Sequence, residues 1–339
     1  MDAAMASMVE AIRIFLTTHH TEATTISRLQ LTLYLVGNYS DAIGPVLSEA
    51  IDSGIVRDLD LAVLDEQDPS DCTDEDMLQR ARSVDAFFSA YPSVLHCLTR
   101  LSLHNVCFAE WDTMNHVLFD CCKQLRHLYL SNCATGAFTW TIHAPDSNLT
   151  VLELDFCLLV KLEVLNLPKL EKLNWDFWLC PHIPFLLGDV PALKELLLLT
   201  KATVYFKGFK LSEALGGATA IQDLTISFQG ENLWMNPEGQ ELCAAFSKLR
   251  KLSVQDIFFE FSPMEQQITF IKAVMVRSPN LQTVVLKDHQ HCKDCEKLHR
   301  SERVPAERAF PKGKDEQDVV VNQLIGDGVY SRAQIIFCN

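Results

Sequence analysis

Residues Leu149–Leu159 read LTVLELDFCLL, and this stretch decides the fold of the chain. Leucine stands at its first, fourth, sixth and eleventh places, and cysteine stands at its ninth. The alternation at its centre predicts a short strand, because successive strand side chains point to opposite faces. Leu152 and Leu154 should face a core, whereas Glu153 should face outward. One such strand cannot bury its own apolar face, so further copies are expected to stack beside it.

Copies of this spacing recur along most of the chain. From Leu98 to Leu249 they follow one another at intervals of 21 to 28 residues. Leucine-rich repeats run about 20–29 residues and follow the template L-x-x-L-x-L-x-x-N/C-x-L. The sequence therefore predicts an α/β fold, a leucine-rich-repeat solenoid or horseshoe, with a parallel concave sheet and helices or extended turns on the convex side. The repeats start near Ile26, Val56, Leu98, Leu125, Leu149, Leu170, Leu193, Ile221, Leu249 and Leu281.

The pattern divides the chain into three predicted regions. Residues 1–25 should form a capping helix, because Met8, Ile12 and Phe15 fall on one helical face. Contact of this apolar face with a membrane is the alternative interpretation. Residues 26–286 are predicted to be a leucine-rich-repeat domain of about ten repeats. Residues 287–339 lose the periodicity and should form an irregular C-terminal cap.

The spacing also predicts what lies between the strands. Residues 64–80, LDEQDPSDCTDEDMLQR, are acidic and should form a solvated loop, with an acidic docking surface as the alternative. Residues 112–124 should form a convex helix that buries Cys121 and Cys122, with a vicinal redox pair as the alternative. The segment from Leu162 to Trp175 is too short for a full helix, so its outer side should be extended or a short turn. Asn236-Pro237 and Ser262-Pro263 should begin helices.

Composition narrows the function classes. A net charge of −15 argues against a binder of nucleic acid or anionic membranes. No apolar run approaches the roughly 20 residues that a transmembrane helix needs, and no secretory leader is recognised. The twelve cysteines are therefore expected to be reduced thiols in a cytoplasmic or nuclear protein.

The only metal-like cluster lies in HQHCKDC and the histidine beyond it. His289, Cys292, Cys295 and His299 could supply four zinc ligands, since two thiolates in a CxxC spacing chelate one ion. The alternative is a polar loop without metal. Phosphate-binding loops, dinucleotide-binding glycine patterns and nucleophile elbows are not found. We therefore expect neither a cofactor nor an enzyme.

The strand alternation assigns a candidate binding face. Every second residue of each strand should project from the concave sheet, where a monomeric chain would bind a protein target. The middle of this face mixes aromatic, basic and acidic side chains, as protein interfaces do. The residues expected to contact a partner are Arg100, His104, His127, Tyr129, Glu153, Asp155, Lys172, Asn174 and Asp176.

Three phrases resemble a plant family, the grass F-box/leucine-rich-repeat proteins related to FBD-associated F-box proteins. They are QGENLWMNPEGQELCAAFSKLRKL (Gln229–Leu252), LPKLEKLNWDFW (Leu167–Trp178) and VPALKELLLLTKATV (Val190–Val204). The resemblance implies that residues 287–339 are an FBD-like region. It also implies a substrate-recognition role in an SCF-type (cullin–RING) ubiquitin ligase, in which an F-box holds a Skp-type adaptor.

The chain departs from this family where an F-box would stand. The residues before Ile26 contain neither proline nor tryptophan, and no F-box is recognised there. Adaptor binding is therefore expected only of a longer form that carries one. The alternative function is a stand-alone leucine-rich-repeat binding or decoy protein without ligase association.

Overall fold

The chain divides into two compact units, Met1–Leu159 and Val160–Asn339. Each combines parallel strands with helices, so the predicted α/β class is confirmed. Eleven described strands belong to the main parallel arrangement, five in the first unit and six in the second. The computed structural model describes residues 2–21, 25–34, 39–65, 67–69, 71–108, 114–135, 139–157, 159–176, 185–200, 211–228, 245–255, 264–288, 310–326 and 331–338.

The first unit is built on parallel strands. Its strands are β1 (Ile26–Leu33), β2 (Val56–Val63), β3 (Leu98–His104), β4 (Cys107–Phe108), β5 (His127–Ser131), β6 (Ala134–Thr135), β7 (Thr139–His143) and β8 (Val151–Asp155). Five of them lie side by side in the order β1-β2-β3-β5-β8, and β4 pairs with β6. Every pairing given within this unit is parallel. Parallel neighbours need a crossover connection, which the intervening helices and loops supply.

Leucines form the core face of this sheet. Burying one leucine side chain contributes about 1.5–3 kcal/mol relative to leaving it exposed, so this face stabilises the unit strongly. Six core leucines pair across β3, β5 and β8 and are at most 1% exposed: Leu101, Leu103, Leu128, Leu130, Leu152 and Leu154. The predicted strand register is therefore confirmed for these three strands.

Helices connect the early strands. A helix begins the chain where the capping helix was predicted. The second helix is followed by Gly54 at φ +74°, a left-handed conformation that glycine adopts without a Cβ clash. The helices of the first unit are α1 (Asp2–Thr21), α2 (Tyr39–Asp52), α3 (Asp74–Ala90) and α4 (Pro92–Cys97).

The prediction of a loop over residues 64–80 is wrong from residue 74 onward, where α3 begins. Thr73 caps this helix: its hydroxyl accepts a hydrogen bond from the Asp76 amide, and the Asp76 carboxylate accepts one from the Thr73 amide. Negative charge in the first turn also suits the helix dipole. Met77 is 3% exposed and turns inward. Residues 74–80 of this acidic run therefore begin a packed helix.

The convex helix predicted over residues 112–124 ends at Cys121 and contains a wider turn than expected. His116–Cys121 forms a π-helical turn. Leu118 and Cys122 are buried as predicted, whereas Cys121 is only half-buried. Cys121 is the last residue of this wider turn, so a spacing of 3.6 residues does not describe its position.

The second unit is also built on parallel strands. Its strands are β9 (Lys161–Asn166), β10 (Lys172–Asp176), β11 (Phe185–Asp189), β12 (Glu195–Thr200), β13 (Asp223–Phe228), β14 (Lys251–Gln255), β15 (Thr283–Lys287) and β16 (Gln334–Cys338). Six of them pair in the order β10-β12-β13-β14-β15-β16. Its helices are α5 (Leu211–Ala214), α6 (Met264–Arg277) and α7 (Lys314–Ile325).

The extended outer side predicted for the short repeats is confirmed. Lys161–Asn166 is a strand, β9, and it pairs in parallel with β11. The helix expected after Ser262-Pro263 is also present as α6, with Ile268 and Ile271 buried. The helix expected at Asn236-Pro237 lies outside the described residues. The three-region domain division stays a prediction.

Candidate functional site

The predicted binding residues of the first unit lie on three adjacent strands and face away from the leucine core. Parallel neighbours lie about 4.8 Å apart, so residues paired in register form short rows across the sheet. We call these three rows the outward rows. They bring together six of the nine predicted contact residues. The outward rows are Arg100–His127–Val151, Ser102–Tyr129–Glu153 and His104–Ser131–Asp155.

A short polar contact joins the first row to the second. Nε2 of His127 lies 2.8 Å from Oε2 of Glu153, and the two side chains are 19% and 18% exposed. Water therefore screens this contact less than it screens an exposed surface pair. The contact fixes the orientation of both side chains on the sheet.

A second set of contacts centres on Tyr129. Its hydroxyl donates to Oδ2 of Asp155 at 3.1 Å. Its ring meets the ring of His104 edge to face, with centroids 5.4 Å apart, a favourable arrangement for aromatic pairs. Nε2 of His104 in turn lies 3.1 Å from the hydroxyl of Ser102. These side chains therefore hold one another in place across β3, β5 and β8.

Partial burial tunes the protonation of this cluster. Burial raises the pKa of Tyr129 to about 12, so its hydroxyl stays protonated and donates. Burial lowers the pKa of His104 below its usual 6.5, although the carboxylates of Asp155 and Asp65 act in the opposite direction. At neutral pH the His104 ring is therefore uncharged and offers one donor and one acceptor.

The residues that follow the three strands share an unusual backbone conformation. Asn105, Asn132 and Phe156 have φ of 54°, 50° and 50°. Asparagine adopts this left-handed region readily, whereas a bulky residue such as phenylalanine does so at an energetic cost. The chain therefore turns sharply at the C-terminal end of each of these three strands.

The two asparagines form a hydrogen-bond chain that sequence reasoning missed. Nδ2 of Asn132 donates to Oδ1 of Asn105 at 2.7 Å, and Nδ2 of Asn105 donates to Oδ2 of Asp65 at 2.6 Å. Asp65 also pairs with Arg80 at 2.7 Å. One signal was available: asparagine stands two residues after the last strand leucine in both LHN and LSN. The acidic docking surface proposed for residues 64–80 thus loses Asp65, which is engaged internally.

A buried carboxylate on β2, beside the first outward row, was also missed. Asp60 is 4% exposed. It accepts hydrogen bonds from Nε of Arg28 at 2.8 Å and from the Thr99 hydroxyl at 3.0 Å. These partners offset the cost of removing a carboxylate from water. Asp60 therefore links β1, β2 and β3 and holds the sheet next to Arg100, its exposed neighbour in register.

The three remaining predicted residues belong to the second unit. Lys172, Asn174 and Asp176 lie on β10, and each is half-buried on the face opposite the core positions Leu173 and Trp175. Their side-chain directions agree with the prediction. Their register partners on β12 are Glu195, Leu197 and Leu199.

The cysteines at the repeat position are buried as the template predicts. The Cys157 thiol donates to the carbonyl of Leu130 at 3.4 Å, and the Cys133 thiol donates to that of Leu103 at 3.6 Å. Burial raises the pKa of Cys157 well above its usual value. Burial likewise raises the pKa of Cys122 to about 12. The thiols of Cys133 and Cys157 therefore tie each strand end to the preceding strand.

A metal site is not found in the part of the chain that the structure describes. There, no group of three or more histidine, cysteine, aspartate or glutamate side chains is arranged to hold an ion. The zinc candidates His289, Cys292, Cys295 and His299 lie outside the described residues. The four-ligand hypothesis stays a prediction.

The contact between Ser102 and His104 invites comparison with a nucleophile and its base. Their 3.1 Å separation lies within the range of such pairs. However, β3 pairs with β2 on one side and with β5 on the other, so its peptide groups are used in the two ladders. The strand therefore has no spare amides beside Ser102 that could form an oxyanion hole.

Comparisons with known proteins add no family. Models of known protein families give no match to the chain, and a search of curated proteins finds none that is similar. Across the described helices, none combines the length and the apolar character that crossing a membrane requires.

Proposed function

We propose that the chain is a leucine-rich-repeat solenoid that binds another protein on the concave face of its sheet, through the outward rows. The single observation that carries this proposal is the mutual fixation of Tyr129, His104 and Asp155 on three adjacent strands. Partly buried polar side chains that hold one another in place lose little conformational entropy when a partner binds.

The chemistry of the rows supports a protein partner. Tyrosine and arginine are among the side chains that most often dominate protein interfaces, and Tyr129 and the exposed Arg100 lie on adjacent strands. Glu153 and Asp155 add negative charge beside them. A partner segment with a basic residue flanked by polar or aromatic groups would complement this surface.

The resemblance to grass F-box/leucine-rich-repeat proteins supports a narrower proposal. The chain would be the substrate-recognition part of an SCF-type ubiquitin ligase and would act in the cytoplasm or nucleus as a monomer. The net charge of −15 favours a protein target over nucleic acid or an anionic membrane. A stand-alone or decoy protein that binds the same target is the second candidate, because no F-box is recognised in the sequence.

Quantitative affinity purification tests the binding face. The bait pair is the wild-type chain and the double variant Arg100→Ala, Tyr129→Ala. The matched control is Arg126→Ala, His143→Ala, which removes two exposed side chains of the same unit outside the outward rows. A partner recovered with the wild type and the control but depleted with the outward-row variant supports the proposal. Equal recovery with all three baits contradicts it.

Two measurements separate the ligase from the decoy. We expect that this chain will not co-purify with a Skp-type adaptor, because no F-box is recognised; recovery at a defined stoichiometry would overturn that expectation. Once a partner is known, its half-life should be measured with and without excess chain. A substrate receptor in a longer form shortens the half-life, and excess of this chain acting as a decoy lengthens it.

A further inference from the structure

An apolar cavity of about 210 Å³ lies inside the first unit, away from the outward rows. Its floor is the core face of β3, where Leu101 and Leu103 are at most 1% exposed. Helix α3 forms one wall through Val84 and Phe88. The packed core of a protein normally leaves few voids larger than a water molecule, so a cavity of this size requires an explanation.

The opposite wall of the cavity contains the π-helical turn. Leu118 lies within this turn and Met114 just before it, and both are 2% exposed. Widened turns of this kind occur frequently at functional sites. The cavity therefore lies between α3 and this turn.

The side chains that line the cavity determine which class of molecule can bind in it. Ten of its thirteen lining residues have apolar side chains, and the exceptions are Arg82, Asp85 and Cys107. A buried water needs two to four polar partners, which this lining does not offer in its depth. Burial raises the pKa of Cys107, so its thiol remains neutral. A cavity with these properties favours an apolar occupant over water.

The charges at the mouth do not select an anion. Arg82 lies 3.7 Å from the carboxylate of Glu75 and donates a hydrogen bond to Gln79. Asp85, which also lines the cavity, is exposed and opposite in charge to Arg82. The positive charge of Arg82 is thus balanced nearby, and a ligand carboxylate would meet Asp85 as well.

We propose that this cavity binds a small neutral apolar molecule, of the size of one or two aromatic rings. An engineered apolar cavity of about 150 Å³ in another protein stays dry and binds benzene, so 210 Å³ is sufficient for a ring with substituents. The site is separate from the outward rows and does not depend on the proposed partner-binding function.

Toluene and indole are suitable probes, with saturation-transfer NMR as the direct measure of binding and the thermal midpoint as the second. Excess ligand should raise the midpoint of the wild-type chain by about 3 °C. Ala81→Leu fills the cavity from α3, because Ala81 lines it and is 8% exposed. The control is Ala86→Leu, which adds the same atoms on the exposed side of the same helix.

The expected result is saturation transfer to the wild type and to Ala86→Leu, and none to Ala81→Leu. Before ligand is added, the midpoint of Ala81→Leu should equal or exceed that of the wild type, because the new side chain fills empty space. If Ala81→Leu does not fold, Leu78→Phe at the half-buried rim replaces it. Absence of binding to the wild type, or equal binding to the filled and control variants, would overturn the proposal.

Discussion

Gly217 lies so close to Gly188 that a Cβ on Gly217 would come within 1.3 Å of the Gly188 carbonyl oxygen. The amide of Gly217 donates to the carbonyl of Leu187 at 2.9 Å, which holds the segment after α5 against β11. A Cβ on Gly188 would in turn meet the carbonyl oxygen of Leu165 on β9 at 2.4 Å. Three backbone segments of the second unit thus stack without side chains between them.

We predict that Gly217→Ala destabilises the second unit by about 3 kcal/mol or more, because the backbone must move apart to admit a methyl group. Urea unfolding measures this change. The matched control is Gly313→Ala, whose new Cβ would lie no closer than 3.7 Å to any neighbour. Equal midpoints for the two variants would show that the close approach of Gly217 to Gly188 is not maintained.

Leu154 and Asp155 test the strand register of the first unit. Leu154 is 1% exposed, so Leu154→Asp places an unpaired carboxylate in the core and should cost about 3–5 kcal/mol. Asp155→Ala removes an acceptor for the Tyr129 hydroxyl on the half-exposed face and should cost about 1 kcal/mol. Urea midpoints rank the two variants. A larger loss for Asp155→Ala would mean that β8 is shifted by one residue.

His104 should make the first unit sensitive to acid. Because burial lowers its folded-state pKa, the unfolded chain binds the proton more readily below about pH 6.5. Stability contributed by neutral His104 is therefore present above pH 6.5 and is lost as the pH falls toward the folded-state pKa. Unfolding measured between pH 5 and 7.5 should show a weaker pH dependence for His104→Gln. An unchanged slope would assign the sensitivity to other groups.

The outward rows carry the binding prediction. For an identified partner, Arg100→Ala with Tyr129→Ala should weaken binding about tenfold or more, which corresponds to roughly 1.4 kcal/mol. Calorimetric titration at a temperature well below the thermal midpoint measures this loss. Because Tyr129 contacts His104 and Asp155, the double variant should also have a somewhat lower thermal midpoint.

The acidic segment 64–80 is the alternative binding surface, and it predicts a different outcome for the same double variant. If that double variant binds normally while deletion of residues 65–72 abolishes binding, the outward-row hypothesis is wrong. This deletion stops short of Thr73, so the cap of α3 is kept. It does remove Asp65 from its contacts with Asn105 and Arg80, so the thermal midpoint must be measured beside the affinity.

The strands were predictable because their signal is local. Leu152 and Leu154 alternate with polar residues, and burial of one face fixes the register without reference to distant residues. The same alternation correctly placed Tyr129 and Glu153 on the face opposite the leucines. Which outward side chains touch one another depends on the neighbouring strand, and the repeat spacing gives that pairing only where successive repeats are regular.

The sequence-based predictions failed where two sequence patterns favoured different structures, or where contacting residues are far apart in the chain. Thr73 and Asp76 match a capping box, but the acidic run around them favoured a loop. Asp65 and Asn105 are 40 residues apart, and no local pattern connects them. The π-helical turn at His116–Cys121 departs from the periodicity of 3.6 residues on which the helix prediction rested.

The thiols of Cys133 and Cys157 give the first unit a built-in reporter of its own opening. Each is at most 1% exposed and donates to a carbonyl of the preceding strand, so a thiol reagent reaches it only when those strands separate. The rate at which the two sulfurs are alkylated in native buffer therefore reports how often these strands separate. Mass spectrometry would measure the alkylation of Cys133 and Cys157 separately. The rate of strand separation would then be known at each position without an engineered cysteine.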